Sequence, residues 1–450
     1  MEEKAQRWRR TTGFLAAIAI AAAACGPAAG SASPVAPTDA GTSPAPSVGG
    51  GSGEPSASAG GQIGGTVSVI GSWGGSEQDS FQAMVAPFEA ATGVDVQYTG
   101  TRDLTTVLST GVASGILPDV GGLPTLGSLI DWTELGALKP LDDVLDLAAY
   151  KADTAPALVE LGTIDGKISG VFIKAAVKGL IWYNPKVYTG GEPASWDALT
   201  ATAAAPATDL WCIGLESGAA SGWPGTDWIE DFVLRQSGPD IYDAWVAGTQ
   251  KWTSPEIKGA FESFGAAAAT SVGGSDAILT TNFGDGGNPL FTDKPGCLFH
   301  HQASFITDFF KDQGGAVDGE FDFFRMPDIN PAYAGAVTGA GDLFGMFNDT
   351  PQARALMAYL VTPEAQAIWV GLGGALSANN KVTEYPDEIA KRSADILANA
   401  GVFRFDASDL MPAAMNQAFW SAILDYVKDP SQLNAILANL DSVQTSAYGG

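Results

Sequence analysis

Between Thr66 and Val120 the spacing of apolar residues switches repeatedly between two and the helical three-to-four, and this constrains the fold more than any other feature of the sequence. Thr66-Val67-Ser68-Val69-Ile70 alternates as a half-buried strand does, and Gly71-Ser72-Trp73-Gly74-Gly75 breaks the run. Ser76, with Asp79 three residues on, forms a capping-box-like helix start. Phe81, Met84, Val85 and Phe88 then fall on one helical face, Pro87 predicts a kink, and Gly93 stops the helix. Residues 94–98 read as a second strand and about 104–112 as another apolar helix. Pro118-Asp119-Val120 leads into a third short strand. Strands and helices in alternation build an α/β fold, a parallel sheet with helices on its faces. Ligands of such sheets bind beyond the carboxyl ends of the strands. Here the loops at those ends are residues 71–75, 99–103 and 121–124.

The chain ahead of this pattern reads as an address. Residues 1–10 carry Lys4, Arg7, Arg9 and Arg10, and an apolar run from Gly13 to Ala24 ends at Cys25-Gly26. A basic segment, a short apolar segment and small residues at the cut describe an export signal. The run falls short of the roughly 18 residues of a membrane span. Ala22-Ala23-Ala24-Cys25 resembles the lipobox of bacterial lipoproteins, whose Cys becomes the lipidated first residue, with Ala22 where Leu is usual. Residues 1–24 are therefore expected to be a lipoprotein signal peptide and Cys25 the site of lipidation. In residues 26–60, 31 of 35 are Gly, Pro, Ser, Ala or Thr, with nothing to bury against ordering entropy. Residues 25–60 are expected to be a disordered, lipid-anchored tether with a reach of roughly 30–35 Å. The protein would stand on the outer face of the cytoplasmic membrane, held by lipid alone, with its folded body from residue 61.

Charge and rare residues exclude several functions. The 450 residues carry 50 Asp and Glu against 23 Lys and Arg, a formal net charge of -27, which repels nucleic-acid phosphates. Two His and three Cys argue against a His-rich metal centre or a zinc ribbon, and no metal or cofactor is expected. Gly339-Ala340-Gly341, with Gly345 beyond, has neither the spacing nor the acidic partner of a dinucleotide loop. No Gly-x-Ser-x-Gly elbow or His-Glu-x-x-His motif occurs. His300 and His301 sit side by side in a strand-like stretch, where one should point inward and the other outward near a cleft rim. The reading is of a protein that is not an enzyme. The alternative is a secreted glycoside hydrolase using a pair of its carboxylates.

The later motifs narrow the class. They run Gly115-Ile116-Leu117-Pro118-Asp119-Val120, then Gly166-Lys167-Ile168-Ser169-Gly170-Val171, then Trp182-Tyr183-Asn184-Pro185-Lys186-Val187-Tyr188 and Ser195-Trp196-Asp197-Ala198-Leu199. This succession resembles the extracellular solute-binding proteins of carbohydrate ABC transporters. Trp211-Cys212-Ile213-Gly214, Gly222-Trp223-Pro224-Gly225-Thr226-Asp227-Trp228 and Tyr359-Leu360-Val361-Thr362-Pro363-Glu364-Ala365-Gln366 are similar to the alpha-glucoside-binding branch. The resemblance covers about residues 64–445. It implies a two-lobed periplasmic-binding-protein-like (type II) fold, a hinge, and a cleft that closes on a sugar. The first lobe would take about 61–175 and 330–375, the second about 180–325 and part of 376–450. The implied partners are an alpha-glucoside or related oligosaccharide and the transmembrane subunits of an ABC permease, with the protein a monomer.

Candidate ligand residues follow from sugar chemistry, in which C–H faces pack on aromatic rings and hydroxyls seek polar side chains. Trp73 lies just past the first strand, and Trp223 and Trp228 form a Gly- and Pro-flanked pair, one expected in the cleft and one in the core. Trp132, Trp245, Trp252 and Trp369 fall in helix-like apolar patterns and read as structural. Arg102 and Asp103 follow the second strand, Lys174 lies on a hinge-strand stretch with Lys178 beyond it, and Glu216 follows a strand-like segment. By resemblance, Gly341-Asp342 is a ligand-facing turn at a crossing. With Cys25 given to lipid, Cys212 and Cys297 remain, an even number in an exported chain. Each lies in a strand-like stretch, and the resemblance supports a disulfide between them.

Overall fold

The computed structural model describes residues 62–204, 207–317 and 319–449. The export signal, Cys25 and the tether lie outside the described residues. β1 (Thr66–Gly71), β2 (Asp95–Gly100) and β3 (Val120–Gly122) form where the alternation placed them. Val69 of β1 pairs in parallel with Tyr98 on one side and Val120 on the other. The helix Ser76–Thr92 buries Phe81, Met84, Val85 and Phe88 against this sheet and runs through Pro87 without ending. Its start corrects the capping-box expectation. Gly75 holds the cap position, so Ser76 is already helical and no side chain bonds to the free N–H groups.

A small hairpin of β4 (Thr163–Ile164) and β5 (Lys167–Ile168) precedes β6 (Val171–Val177). The chain then crosses to a second sheet. Its strands are β7 (Leu180–Tyr183), β8 (Asp209–Cys212), β9 (Cys297–Gln302) and β10 (Asp322–Arg325), in the order β10-β7-β9-β8. It returns in β11 (Ala336–Met346) and β12 (Val402–Phe405), which complete a first sheet of order β12-β11-β3-β1-β2, with β6 also against β11. Because β11 enters from the second sheet, it runs antiparallel to β3 and β6. The first sheet is thus mixed, where alternation alone predicted a parallel one. Among the described residues no helix is long and apolar enough to cross a membrane.

Two lobes follow, each with its own sheet, linked where β6 passes into β7, where β10 leads to β11, and beyond β12. The first link is a tight one. The Lys178 N–H bonds to the Thr338 carbonyl and the Met326 N–H to that of Gly179. Gly179 sits at a φ of 67°, and a Cβ there would come within 2.8 Å of the Asp231 carboxylate and the Arg235 guanidinium. Only glycine fits.

Gly341 and Asp342 are not a turn. They lie inside β11, opposite Ala175 and Lys174 of β6, with a register shift after Asp342. Since β11 is paired on both edges, its small-residue run stays extended, and the irregularity rather than a loop marks the position.

In the second lobe the helix Trp223–Ser237 threads the core, where Trp228 packs edge-on to Trp211 at 4.9 Å. The expected disulfide joins neighbouring strands, Cys212 of β8 to Cys297 of β9, with Cα atoms 5.6 Å apart. Trp132, Trp245, Trp252 and Trp369 are all buried. The inward–outward expectation for the histidines is overturned, as both are buried. β9 is an inner strand with both faces covered: His300 packs toward Phe310 and His301 against Trp228.

His300 makes stability depend on pH. Its Nδ1 lies 2.8 Å from the Cys212 carbonyl, which can only accept, so Nδ1 carries the proton of a neutral ring. Burial pushes its pKa down to about 4, against the opposing pull of that carbonyl bond. The unfolded imidazole binds protons near pH 6.5, so this contribution is full above 6.5 and is lost as pH falls through 4. The loss should reach about 3 kcal/mol. His300→Asn, which keeps a donor without a titrating ring, should flatten the urea midpoint between pH 7 and 4 relative to wild type. Parallel pH profiles would refute the assignment.

Candidate functional site

The alternation of β6 builds the floor of a cavity of about 240 Å3 between the lobes. Lys174, Ala176 and Lys178, two residues apart, all line it. The loops after β1, β2 and β3 reach it as the strand-end rule requires, through Trp73, Arg102 and Leu123.

Two buried lysines anchor the polar floor. The Lys174 ammonium donates to Glu77 at 3.0 Å, lies 3.5 Å from Asp342, and sits 4.6 Å above the Trp369 ring. Burial opposes its charge, but Asp342 and Glu77 outweigh it and raise its pKa. Lys178 donates to Asp227 at 2.7 Å and also pairs with Asp406, which follows β12 at the third link. Four carboxylates, Asp227, Glu230, Asp406 and Asp409, surround this one ammonium, whose pKa is held well above the usual lysine range against the cost of burial. Burial, only partly offset by Lys178, lifts Asp227 to about 7. Oxygens of Asp227, Glu230 and Asp406 lie within 4.8 Å of one another, a spacing open to a cation. Lys178 already supplies that charge. Behind it, Asp231 is shared by Arg235, His301 and Thr338, which together overcome burial and hold its carboxyl below the usual range.

The walls are aromatic. Trp223 opens the helix Trp223–Ser237 and packs on Phe283 at 5.2 Å and Phe305 at 6.0 Å, all three lining the cavity. Trp420, from the helix Ala413–Lys428, closes another side. Three buried polar atoms on lining residues, Ser217 Oγ, Asp227 Oδ2 and Trp420 Nε1, have no hydrogen-bond partner among the described residues.

The sequence candidates divide on this geometry. Trp73, Arg102, Lys174, Trp223, Gly341 and Asp342 line the cavity. Trp73 is nevertheless only 3 % exposed, clasped by Phe81, Tyr98, Phe344 and Trp369, and its Nε1 donates to Asp342 at 3.2 Å. It is a floor more than a platform. Trp228, 1 % exposed, belongs to the second-lobe core, as one of that pair was expected to. Asp103 lines a neighbouring hollow. Glu216 lies outside the cavity lining, accepting from the Gly218 N–H and Asn282 Nδ2 at 2.7 Å each. Those two hydrogen bonds lower its pKa. Sequence reading missed Glu77, Asp227, Phe283, Phe305 and Asp406. Asp227 alone was detectable, since it follows Trp223 by four residues and so shares its helix face.

Comparison with known proteins agrees with this architecture. A family model described as bacterial extracellular solute-binding protein matches residues 83–398. The "Osmoprotective compounds-binding protein GgtB" of Synechocystis sp. is 37 % identical over 373 residues, covering 80 % of this chain and 88 % of that protein. The "Alpha-glucosides-binding periplasmic protein AglE" of Rhizobium meliloti is 36 % identical over 387 residues, covering 80 % and 83 %. Among solved structures, a "Chitin oligosaccharide binding protein" superposes with a TM-score of 0.73 at 19 % identity, over 86 % of this chain and 99 % of that one.

Proposed function

Because the chain belongs to the bacterial extracellular solute-binding proteins, we propose that it captures an alpha-glucoside or related small oligosaccharide and hands it to an ABC importer. The observation that carries this reading is the interlobe cavity, with lysine and carboxylate side chains on its floor and Trp223, Phe283 and Trp420 on its walls. That pairing of apolar rings with fixed polar groups suits a polyhydroxylated ring. The relatives whose names refer to alpha-glucosides and osmoprotective compounds support the substrate class. Closure of the lobes would bury the sugar, and the closed form would dock on the permease, a population shift toward the state with better ligand contacts. Of the five carboxylates that line the cavity, four are paired with lysines, Glu77 and Asp342 with Lys174, Asp227 and Asp406 with Lys178, and Asp409 is the fifth.

Thermal unfolding against a panel of trehalose, maltose, sucrose and longer malto-oligosaccharides tests the proposal. A ligand at a hundred times its Kd should add about 2.7 kcal/mol of stability. Trp223→Ala should weaken the best sugar at least tenfold, about 1.4 kcal/mol, and quench the sugar-induced change in Trp fluorescence. No shift with any sugar, or release of glucose from maltose or trehalose, would sink the receptor reading.

We further propose that residues 1–24 are removed on export and that lipid on Cys25 tethers the protein through residues 25–60 to the outer face of the cytoplasmic membrane, as a monomer. The basic start, apolar run and small residues before Cys25 support this. Fatty-acid labelling should mark the wild type and spare Cys25→Ser, which should appear in the medium. Equal labelling of both would end the lipoprotein proposal.

A further inference from the structure

We propose that Arg102 is a length gate. Stretched across the cleft, it separates a compact inner compartment from an outer hollow and so sets the size of sugar admitted. This rests on the sugar-binding reading above and goes beyond it by naming what limits the ligand.

Arg102 reaches across the cleft. It belongs to the loop after β2, in the first lobe. Its guanidinium carbon lies 4.8 Å from the centroid of Phe283, a second-lobe ring, and its Nη2 lies 3.6 Å from Glu77. One side chain therefore spans the gap between lobes, in contact with a group on each side. Its backbone end is close to the second lobe as well, since a Cβ on Gly218 would meet the Arg102 Cβ at 3.4 Å.

Beyond it lies a second hollow of about 330 Å3, with Asp103, Ser221 and Gln417 among its lining residues. Arg102, Thr105, Ala220 and Trp420 line both spaces. Thr105 and Ala220 are small, and Trp420 is fixed on the helix Ala413–Lys428. Arg102 is the one long, flexible side chain at the boundary, and its side chain is 36 % exposed.

Size then decides the consequence. Pockets for drug-sized ligands run about 300–1,000 Å3, so the inner space of about 240 Å3 suits one or two sugar rings. A longer chain needs the outer hollow, whose carboxylate, hydroxyl and amide groups can take sugar hydroxyls while the Trp420 ring continues the stacking surface. A 3.6 Å pairing with a carboxylate that already accepts from Lys174, and a single ring contact, hold Arg102 only weakly. Shortening the side chain should join the two spaces.

The test is the ratio of affinities for the tightest disaccharide, trehalose or maltose, and for maltotetraose, measured by calorimetry on the full exported body. A ratio cancels any contact that Arg102 itself makes with the first rings. Wild type should favour the disaccharide at least tenfold, and Arg102→Ala should cut that ratio at least fivefold, with unfolding midpoints measured alongside to confirm a folded variant. Arg102→Lys, which keeps the charge without the planar group that covers Phe283, should move the ratio in the same direction by less. An unchanged ratio in Arg102→Ala, or equal wild-type affinity for both sugars, overturns the gate and leaves the receptor standing. Absence of binding by wild type to every sugar overturns both.

Discussion

Replacing Lys178 with methionine should destabilise the folded body by about 3–5 kcal/mol, the usual cost of stranding buried charges. Lys178 is the nearest cation to Asp227 and Asp406, and all three side chains are less than a tenth exposed. Its folded pKa is raised, so its contribution is complete below the unfolded lysine value and is lost only as pH rises through the folded one. At pH 7 the whole effect should be visible in the urea midpoint. Neutralising Lys178 together with its two paired carboxylates should be far milder, because burial holds the pKa of the two that remain, Glu230 and Asp409, well above the usual carboxylate range. The triple variant Lys178→Met, Asp227→Asn, Asp406→Asn should regain at least half of the loss. A single variant that costs under about 1 kcal/mol would show that water or protonation already relieves the site.

Removing the disulfide should cost a comparable amount by a different route. Cys212 and Cys297 are 85 residues apart, and the chain-entropy model gives about 4–5 kcal/mol for closing such a loop. Cys212→Ala with Cys297→Ala should lower the urea midpoint accordingly, and reduction of the wild type should mimic it. Both cysteines belong to strands of one sheet, so the bridge constrains the second lobe and leaves the links between lobes free. Affinity for the sugar should therefore change less than threefold while stability falls. A large loss of affinity at equal foldedness would mean that the bridge shapes the cleft.

What could be read from the sequence was local. Period switching located β1 to β3 and the helices between them because each element depends on its own side-chain pattern. The loops at the strand ends followed, and with them Trp73 and Arg102. The direction of β11 was hidden, since it depends on which lobe the chain comes from and not on its glycines and alanines. Gly341-Asp342 was misread as a turn for that reason. The histidines were misplaced because a two-residue period sets which way each points but not what covers each face. Lys174 of β6 and Lys178 just after it were noticed, but their partners come from residues 77, 227, 342 and 406, positions that only the assembled fold brings together.

The sheet order also has a consequence for how the chain reaches its fold. The four strands of the second sheet lie between residues 180 and 325, whereas those of the first run from 66 to 405. β3 needs β11 as its outer neighbour, and more than two hundred residues separate Gly122 from Ala336. A chain synthesised from its N-terminus would thus carry β1, β2 and β3 as a half-sheet with a bare edge while the second sheet is completed. Open edges recruit other strands, and contacts between distant residues are slow to form. During folding, the interval between completion of β3 and arrival of β11 would be when an open edge most favours aggregation.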